Sequence, residues 1–306
     1  MSESQSDIDV TADAIRDMRI RGAGRIARAG AEAISAFASG YKGGSKEDFL
    51  ANLERAKRRL LDSRPTAVSL YNAVHASVAG IDDAVDVGEM IAAIQRDAAA
   101  FVKKSKDAVR IIGEIGAKRI EDGDTVMTHC NSSAALSVIK TAHRQGKEIK
   151  IYATESRPWR QGILTVTDLA NEGIDTTLII DSAVRSVMKH VDRVFVGADT
   201  VTSHGALINK VGTSQLALAA NEARANFYVC SETYKFSPMT FYGDPVTIEE
   251  RDIGEVVREG EIPPNVKVFN PVFDSTPAKY IDAIITEEGM MPPGAVYMFL
   301  SGMSHH

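Results

Sequence analysis

Cysteine is nearly absent from this chain. Cys130 and Cys230 are the only two in 306 residues, too few for a disulfide framework or for a zinc site built of four cysteines. A reducing cytoplasm is the expected compartment. Long apolar runs are missing as well: none approaches the roughly 18 residues that mark a membrane-spanning helix. The first residues, MSESQSDIDVTADAI, lack the basic and apolar segments of a signal peptide, so neither secretion nor membrane insertion is expected. Nor is there an excess of positive charge. Lys and Arg number 35 against 41 Asp and Glu, a net charge of −6, which argues against a protein whose main task is to grip a nucleic-acid backbone. Seven histidines show no HExxH or other metal-ligand spacing. No cofactor is called for, and the terminal His305 and His306 are assigned no function.

What remains is an ordinary globular composition, 44% hydrophobic and 25% charged. Its length suits two domains or one large α/β unit. From Thr11 to about Ile120 apolar residues recur every three or four positions, the helical period. Phe49, Leu53, Ala56 and Leu60 make one stripe, with Ser45 and Asp48 as an N-cap and acidic first turn before it. Pro65 ends that helix, because the residue before a proline is pushed out of the α region. A second stripe, Ile91, Ile94, Ala98, Phe101, Ala108, Ile112 and Ile115, is long enough to connect two domains. Its Lys103, Lys104 and Lys106 read as a solvated face.

After Gly123 the period shortens. β-rich runs occur at TVMTH (125 to 129), IKIYAT (149 to 154), TTLIID (176 to 181), RVFVGAD (193 to 199), NFYVCS (226 to 231) and DAIITE (282 to 287). Helical stretches separate most of them. Strand alternating with helix implies right-handed crossovers and an α/β fold: residues 1–120 form a helical N-terminal domain, residues 121–306 a Rossmann-like domain with a mostly parallel, doubly wound sheet. In such a sheet the ligand lies beyond the carboxyl ends of the strands.

Two reactive side chains fall at such ends, Cys130 in THCNSSAA and Asp199 in VGADTV. Taken alone, each has a plainer reading, Cys130 as a small buried apolar residue and Asp199 as a helix cap or turn former. The run Asn131-Ser132-Ser133-Ala134 would open a helix whose free N–H groups can hold a phosphate. His129 would face the opposite side of its strand from Cys130. Arg21-Gly22-Ala23-Gly24 lacks the preceding strand that a dinucleotide fingerprint requires. It is either an anion cradle or a helix break. Arg64 and Lys235 are isolated cations of the kind usually found at the surface, and Asn209 with Lys210 is either a polar contact for a substrate or a strand end.

RGAG, SRPT, THCNSSAA, VGADTV, INKVGT and SETYKF occur together and in this order. The set resembles the initiation-factor-2B-like family of sugar-phosphate isomerases, over nearly the whole chain. The resemblance implies an aldose–ketose isomerase acting on ribose 1,5-bisphosphate to give ribulose 1,5-bisphosphate, within nucleoside monophosphate (AMP) breakdown, as a dimer-based hexamer. It also implies that Cys130 is the proton acceptor and Asp199 the donor, and that Arg21, Gly22, Ala23, Gly24, Arg64, Ser132, Ser133, Ala134, Asn209, Lys210 and Lys235 contact the sugar bisphosphate.

The residue types suit that chemistry. The anomeric oxygen is phosphorylated, so the ring needs an acid to open it, and the C2 proton needs a base. A thiol in that role should ionise below its free value of about 8.5, aided by a helix N-terminus and nearby cations. Two alternatives stay open. One is a methylthioribose 1-phosphate substrate, to which a second phosphate clamp around Arg64 and Lys235 would be useless. The other is a non-catalytic regulatory subunit of the translation initiation factor 2B type, for which a reactive cysteine is unneeded.

Overall fold

In the computed structural model the Ala-rich amino-terminal segments become five helices: α1 (Glu3–Arg16), α2 (Ala23–Ser39), α3 (Lys46–Ser63), α4 (Val68–Ala76) and α5 (Val87–Ala117). The structure describes residues 3–242 and 246–303; His305 and His306 lie outside them. The chain packs as two compact units that divide after Asp107, within α5. Among the described residues, no helix is long and apolar enough to cross a membrane.

The helical unit is held by the stripes that the sequence displays. The Ser45 hydroxyl accepts the Asp48 N–H at 3.0 Å and opens α3. Arg64, just before Pro65, leaves the helical region at φ −156°, ψ 80° and closes it. Between these ends Phe49, Leu53, Ala56 and Leu60 are buried together with Ile8, Ile26, Ile34, Phe37, Leu70 and Ile94. α2 and α4 approach closely because Gly30 has no side chain, a Cβ there lying 2.5 Å from Leu70 Cδ1.

The second unit holds eleven strands among the described residues. They are β1 (Thr125–Thr128), β2 (Lys150–Thr154), β3 (Asp175–Ile179), β4 (Arg193–Val196), β5 (Thr200–Thr202), β6 (Leu207–Lys210), β7 (Asn226–Cys230), β8 (Phe236–Ser237), β9 (Phe273–Thr276), β10 (Ala283–Thr286) and β11 (Gly289–Met291). Seven form the main sheet in the order β11-β10-β7-β4-β1-β2-β3, parallel except for the β10–β11 hairpin at its edge. The crossovers carry α6 (Ser133–Arg144), α7 (Gln161–Ala170), α8 (Val184–Met188) and α9 (Thr213–Ala223), and α10 (Val296–Met303) closes the unit.

Central strands of this sheet are covered on both faces, so alternate residues enter different cores. Val194, Val196, Phe227, Val229 and Ile284 pack on one side with α9 and α10. Val126, Phe195, Tyr228, Cys230 and Ile285 pack on the other with α6 and the end of α5. β1 is followed in the chain by its neighbour on one side, β2, while its other neighbour, β4, begins the second half of the winding. This is the switch point at which connections leave in opposite directions and a crevice opens at the carboxyl edge.

A smaller sheet, ordered β8-β5-β6-β9, is an addition to the expected architecture. Its strands are only two to four residues long, too short to display a strand period in the sequence. It begins one residue after Asp199, whose N–H donates to Ile208 O at 3.1 Å. The insertion thus delivers Asn209 and Lys210 to the same edge as Asp199.

Leu53→Ala should destabilise the helical unit by roughly 2–5 kcal/mol through the cavity left in a closed core, whereas Lys103→Ala on the solvated face should change stability by about 0.5 kcal/mol or less. Urea unfolding followed by circular dichroism checks both.

Candidate active site

β1 stops at Thr128, and the next residues turn sharply into α6. Ser132 is the N-cap, its Oγ accepting the Ala135 N–H at 3.3 Å. The N–H groups of Ser133 and Ala134 have no carbonyl partner within a helix that starts there, which leaves the helix end suited to an anion. Gly197, just past β4, lets that strand end lie against the cap, since a Cβ at this position would collide with the Ser132 side chain.

Cys130 sits in the left-handed region at φ +64°, a conformation that costs a non-glycine residue on the order of 1–3 kcal/mol. Neighbours hold it there. Its N–H donates to Ser156 Oγ at 2.8 Å, and its carbonyl accepts from Thr165 Oγ1 at 2.6 Å. Thr165 Oγ1 in turn accepts from Asn131 Nδ2 at 3.0 Å. Ser156, also left-handed at φ +61°, donates its N–H to Asp181 Oδ1 at 2.7 Å, and the Arg157 N–H reaches Asp181 Oδ2 at 2.8 Å. The carboxyl ends of β1, β2 and β3 are thereby laced together.

Burial pushes the Cys130 thiol up to about 11; the Lys210 ammonium and a hydrogen bond from the Asn131 backbone pull it down, while Asp199 and Asp181 push it further up. The low thiol pKa expected from the sequence is therefore not what the fold provides. Desolvation outweighs the helix end and the nearby cation. Cys230 is fully buried in the sheet core, where burial raises its thiol above the ordinary value.

The His129 ring lies between the β2 end and the Val211 carbonyl. It is 2% exposed, with Nδ1 2.5 Å from Thr154 Oγ1 and Nε2 2.9 Å from Val211 O. Burial holds its pKa below the usual histidine value.

The other expected residues fall into two groups. Asp199 is half-buried at the end of β4. Asn209 is buried on β6 with its Nδ2 donating to Thr213 Oγ1 at 3.0 Å, and Lys210 ends that strand with Nζ 5.1 Å above the Phe273 ring. Lys235 is a buried cation rather than a surface one, its Nζ 2.6 Å from Glu232 Oε2 with both side chains under 8% exposed. Arg21, Gly22, Ala23, Gly24 and Arg64 belong to the helical unit. Gly22, at φ +89°, is the N-cap of α2, so this motif opens a helix as the Cys130 loop does.

Sequence reasoning missed Ser156, Thr165, Asp181, Glu232 and Asp274. Asp274, on β9, accepts the Gly212 N–H at 2.8 Å and the Ser214 N–H at 3.1 Å, and so caps α9; burial holds its carboxyl above the usual range. A signal for two of them was present: Ser156 in TESRP and Asp181 in TTLIID each follow a strand, as Cys130 does.

A doubly wound α/β sheet with a thiol, a carboxyl, a lysine and a helix N-terminus at its switch point defines a site class built to bind an anionic small molecule and move protons on it. The chain belongs to the initiation factor 2 subunit family, whose model matches residues 19–293. A protein named ribose 1,5-bisphosphate isomerase from Archaeoglobus fulgidus is 54% identical over 290 residues, 95% of this chain and 91% of that one. A methylthioribose-1-phosphate isomerase from Heliobacterium modesticaldum is 38% identical over 93% of this chain and 87% of its own length. Among solved structures, the Pyrococcus horikoshii OT3 translation initiation factor eIF-2B superposes with a TM-score of 0.80 at 33% identity, over 94% of this chain and 97% of that one.

With the thiol at about 11, alkylation of Cys130 by iodoacetamide should accelerate about tenfold per pH unit between pH 7 and 9, as the thiolate fraction does. Lys210→Met should slow it at every pH. Mass spectrometry of the peptide containing Cys130 follows the reaction, with Cys230 remaining unlabelled until the protein unfolds.

Proposed function

We propose that the protein is a sugar-phosphate isomerase that converts ribose 1,5-bisphosphate to ribulose 1,5-bisphosphate, with Cys130 as proton acceptor and Asp199 as proton donor. The observation that carries this reading is the pairing of these two side chains at the carboxyl ends of adjacent strands, β1 and β4, beside the α6 N-terminus. The 54% identical relative supports the choice of substrate.

Asp199 would protonate the ring oxygen as its bond to C1 breaks. Cys130, as thiolate, would take the proton from C2, leaving a C1–C2 double bond with the 1-phosphate still attached. The thiol would return a proton to C1 while the C2 hydroxyl gives its own to the Asp199 carboxylate, forming the ketone. Both groups end as they began. Protons are conserved and both phosphates stay in place. The N–H groups of Ser133 and Ala134 would hold one phosphate. Asn209 and Lys210 would meet the sugar at the same edge, and Lys235 would add its charge there. Arg21, Gly22, Ala23, Gly24 and Arg64, which belong to the helical unit, enter the proposal as substrate contacts through the resemblance alone. A thiol that resists ionisation makes Lys210 the necessary counter-charge, because an approaching phosphate dianion raises the thiol pKa further.

A place in AMP breakdown, a cytoplasmic setting and a dimer-based hexamer belong to this proposal through resemblance alone. One observation favours a methylthioribose 1-phosphate substrate instead. Lys235 already has a carboxylate partner in Glu232, and a neutralised cation is a weaker clamp for a second phosphate.

Incubation with the α-anomer of ribose 1,5-bisphosphate should yield ribulose 1,5-bisphosphate. Cys130→Ser should lower kcat by about 10²- to 10⁴-fold, the usual contribution of a positioned proton-transfer group, with KM near normal. Product from methylthioribose 1-phosphate but none from the bisphosphate would transfer the assignment to the second substrate.

A further inference from the structure

We infer that His129 is a positioning residue that fastens the loop carrying Lys210 to the end of the Cys130 strand, acting through its hydrogen bond to the Val211 carbonyl. The inference deepens the proposed role of Cys130 and rests on it only for its catalytic consequence. The geometry itself concerns the backbone of the Cys130 turn and of the Lys210 loop, and needs no substrate.

The imidazole stands where two strand ends meet. On one side are the hydroxyls of the β2 end, Thr154 Oγ1 at 2.5 Å from Nδ1 and Ser156 Oγ at 3.3 Å. Ser156 Oγ is also the acceptor for the Cys130 N–H. On the other side Nε2 meets the carbonyl of Val211, the residue after Lys210, at 2.9 Å. A carbonyl can only accept, so Nε2 carries the hydrogen, and the neutral ring then accepts a hydroxyl hydrogen at Nδ1. Burial on all sides favours that uncharged form.

Gly212 shows how closely the loop is seated. At φ +103°, a Cβ there would come 3.0 Å from the imidazole Cε1, so the backbone after Val211 lies flat on the ring. Beyond it the chain is pinned again, because Thr213 Oγ1 donates to Lys210 O at 2.6 Å and accepts from Asn209 Nδ2 at 3.0 Å. A continuous series of hydrogen bonds thus runs from the Cys130 N–H through Ser156 and His129 to the backbone that carries Lys210.

The charges acting on the thiol come from separate elements: Lys210 from β6, Asp199 from the segment after β4, and Asp181 from the end of β3. Of these three, Lys210 is the positive one. Its placement therefore offsets part of the desolvation that suppresses the thiolate, and His129 ties its loop to the Cys130 strand by a side-chain hydrogen bond. His129 donates its one N–H to a backbone carbonyl, so it has no proton to give a substrate. Its effect is indirect.

The test is iodoacetamide alkylation of Cys130 in the full-length protein across pH 7 to 10, a readout independent of any sugar phosphate. His129→Leu should slow alkylation at pH 8 about tenfold, the effect of one unit in the thiol pKa, and move the pH profile to the alkaline side. His129→Gln, which keeps an N–H near the Nε2 position, should restore most of the rate. In a Lys210→Met background, His129→Leu should add nothing. If His129→Leu fails to fold, Thr154→Val serves in its place, freeing Nδ1 and giving a smaller shift in the same direction.

A folded His129→Leu or Thr154→Val protein with the wild-type alkylation profile would overturn the inference. So would additive effects of His129→Leu and Lys210→Met. An absence of ribose 1,5-bisphosphate turnover alongside the expected alkylation results would count against the proposed substrate and leave the positioning role standing.

Discussion

The hydrogen bond from the Cys130 N–H to Ser156 Oγ is the contact on which the rest of the site depends. Cys130 occupies a backbone conformation that its Cβ disfavours, and without an acceptor in that place the residue would relax toward extended geometry and swing its thiol out of the crevice. Ser156 can serve only because Asp181 takes its own N–H. Three strand ends therefore commit jointly to one geometry. The sheet supplies the rigidity: β1 to β3 are paired in register along their whole length, so their ends cannot drift apart.

The electrostatics follow from the same enclosure. Closing the crevice strengthens the interaction of Lys210 with the thiol but also removes the water that would solvate a thiolate. Desolvation prevails. Glu232 and Lys235 show a different solution to burial. A cation almost fully removed from solvent lies 2.6 Å from a carboxylate oxygen, with Tyr234 OH donating to the other carboxylate oxygen at 3.0 Å. Breaking such a pair on one side leaves an uncompensated charge, so these residues stand or fall together.

Much of this was legible in the sequence, for identifiable reasons. The six principal strands show because each is a short β-rich run bounded by turns, including β3 at the sheet edge, whose residues are half-buried or exposed. The α6 start shows because Ser132 is a capping residue directly after a strand. Cys130 and Asp199 are visible as reactive types at strand ends. The small sheet is hidden because two to four residues cannot display a period. His129, Ser156 and Asp181 are hidden for another reason: their partners lie 24 or more positions away in the chain, and no local pattern encodes such a meeting. The thiol pKa is illegible for the same cause, since it depends on how tightly the crevice closes.

Asp274 closes the N-terminus of α9 with its own carboxylate, while the first turn of α6 is capped by a neutral hydroxyl. Two helices thus point their starts toward one edge of the sheet, and only one can welcome a negative group. The asymmetry gives the crevice a polarity. A guest with an anionic group at each end would find one berth open and one already taken, so head and tail are not interchangeable. On the proposed reaction, that asymmetry would choose which carbon faces the thiol before any specific contact with the sugar is made.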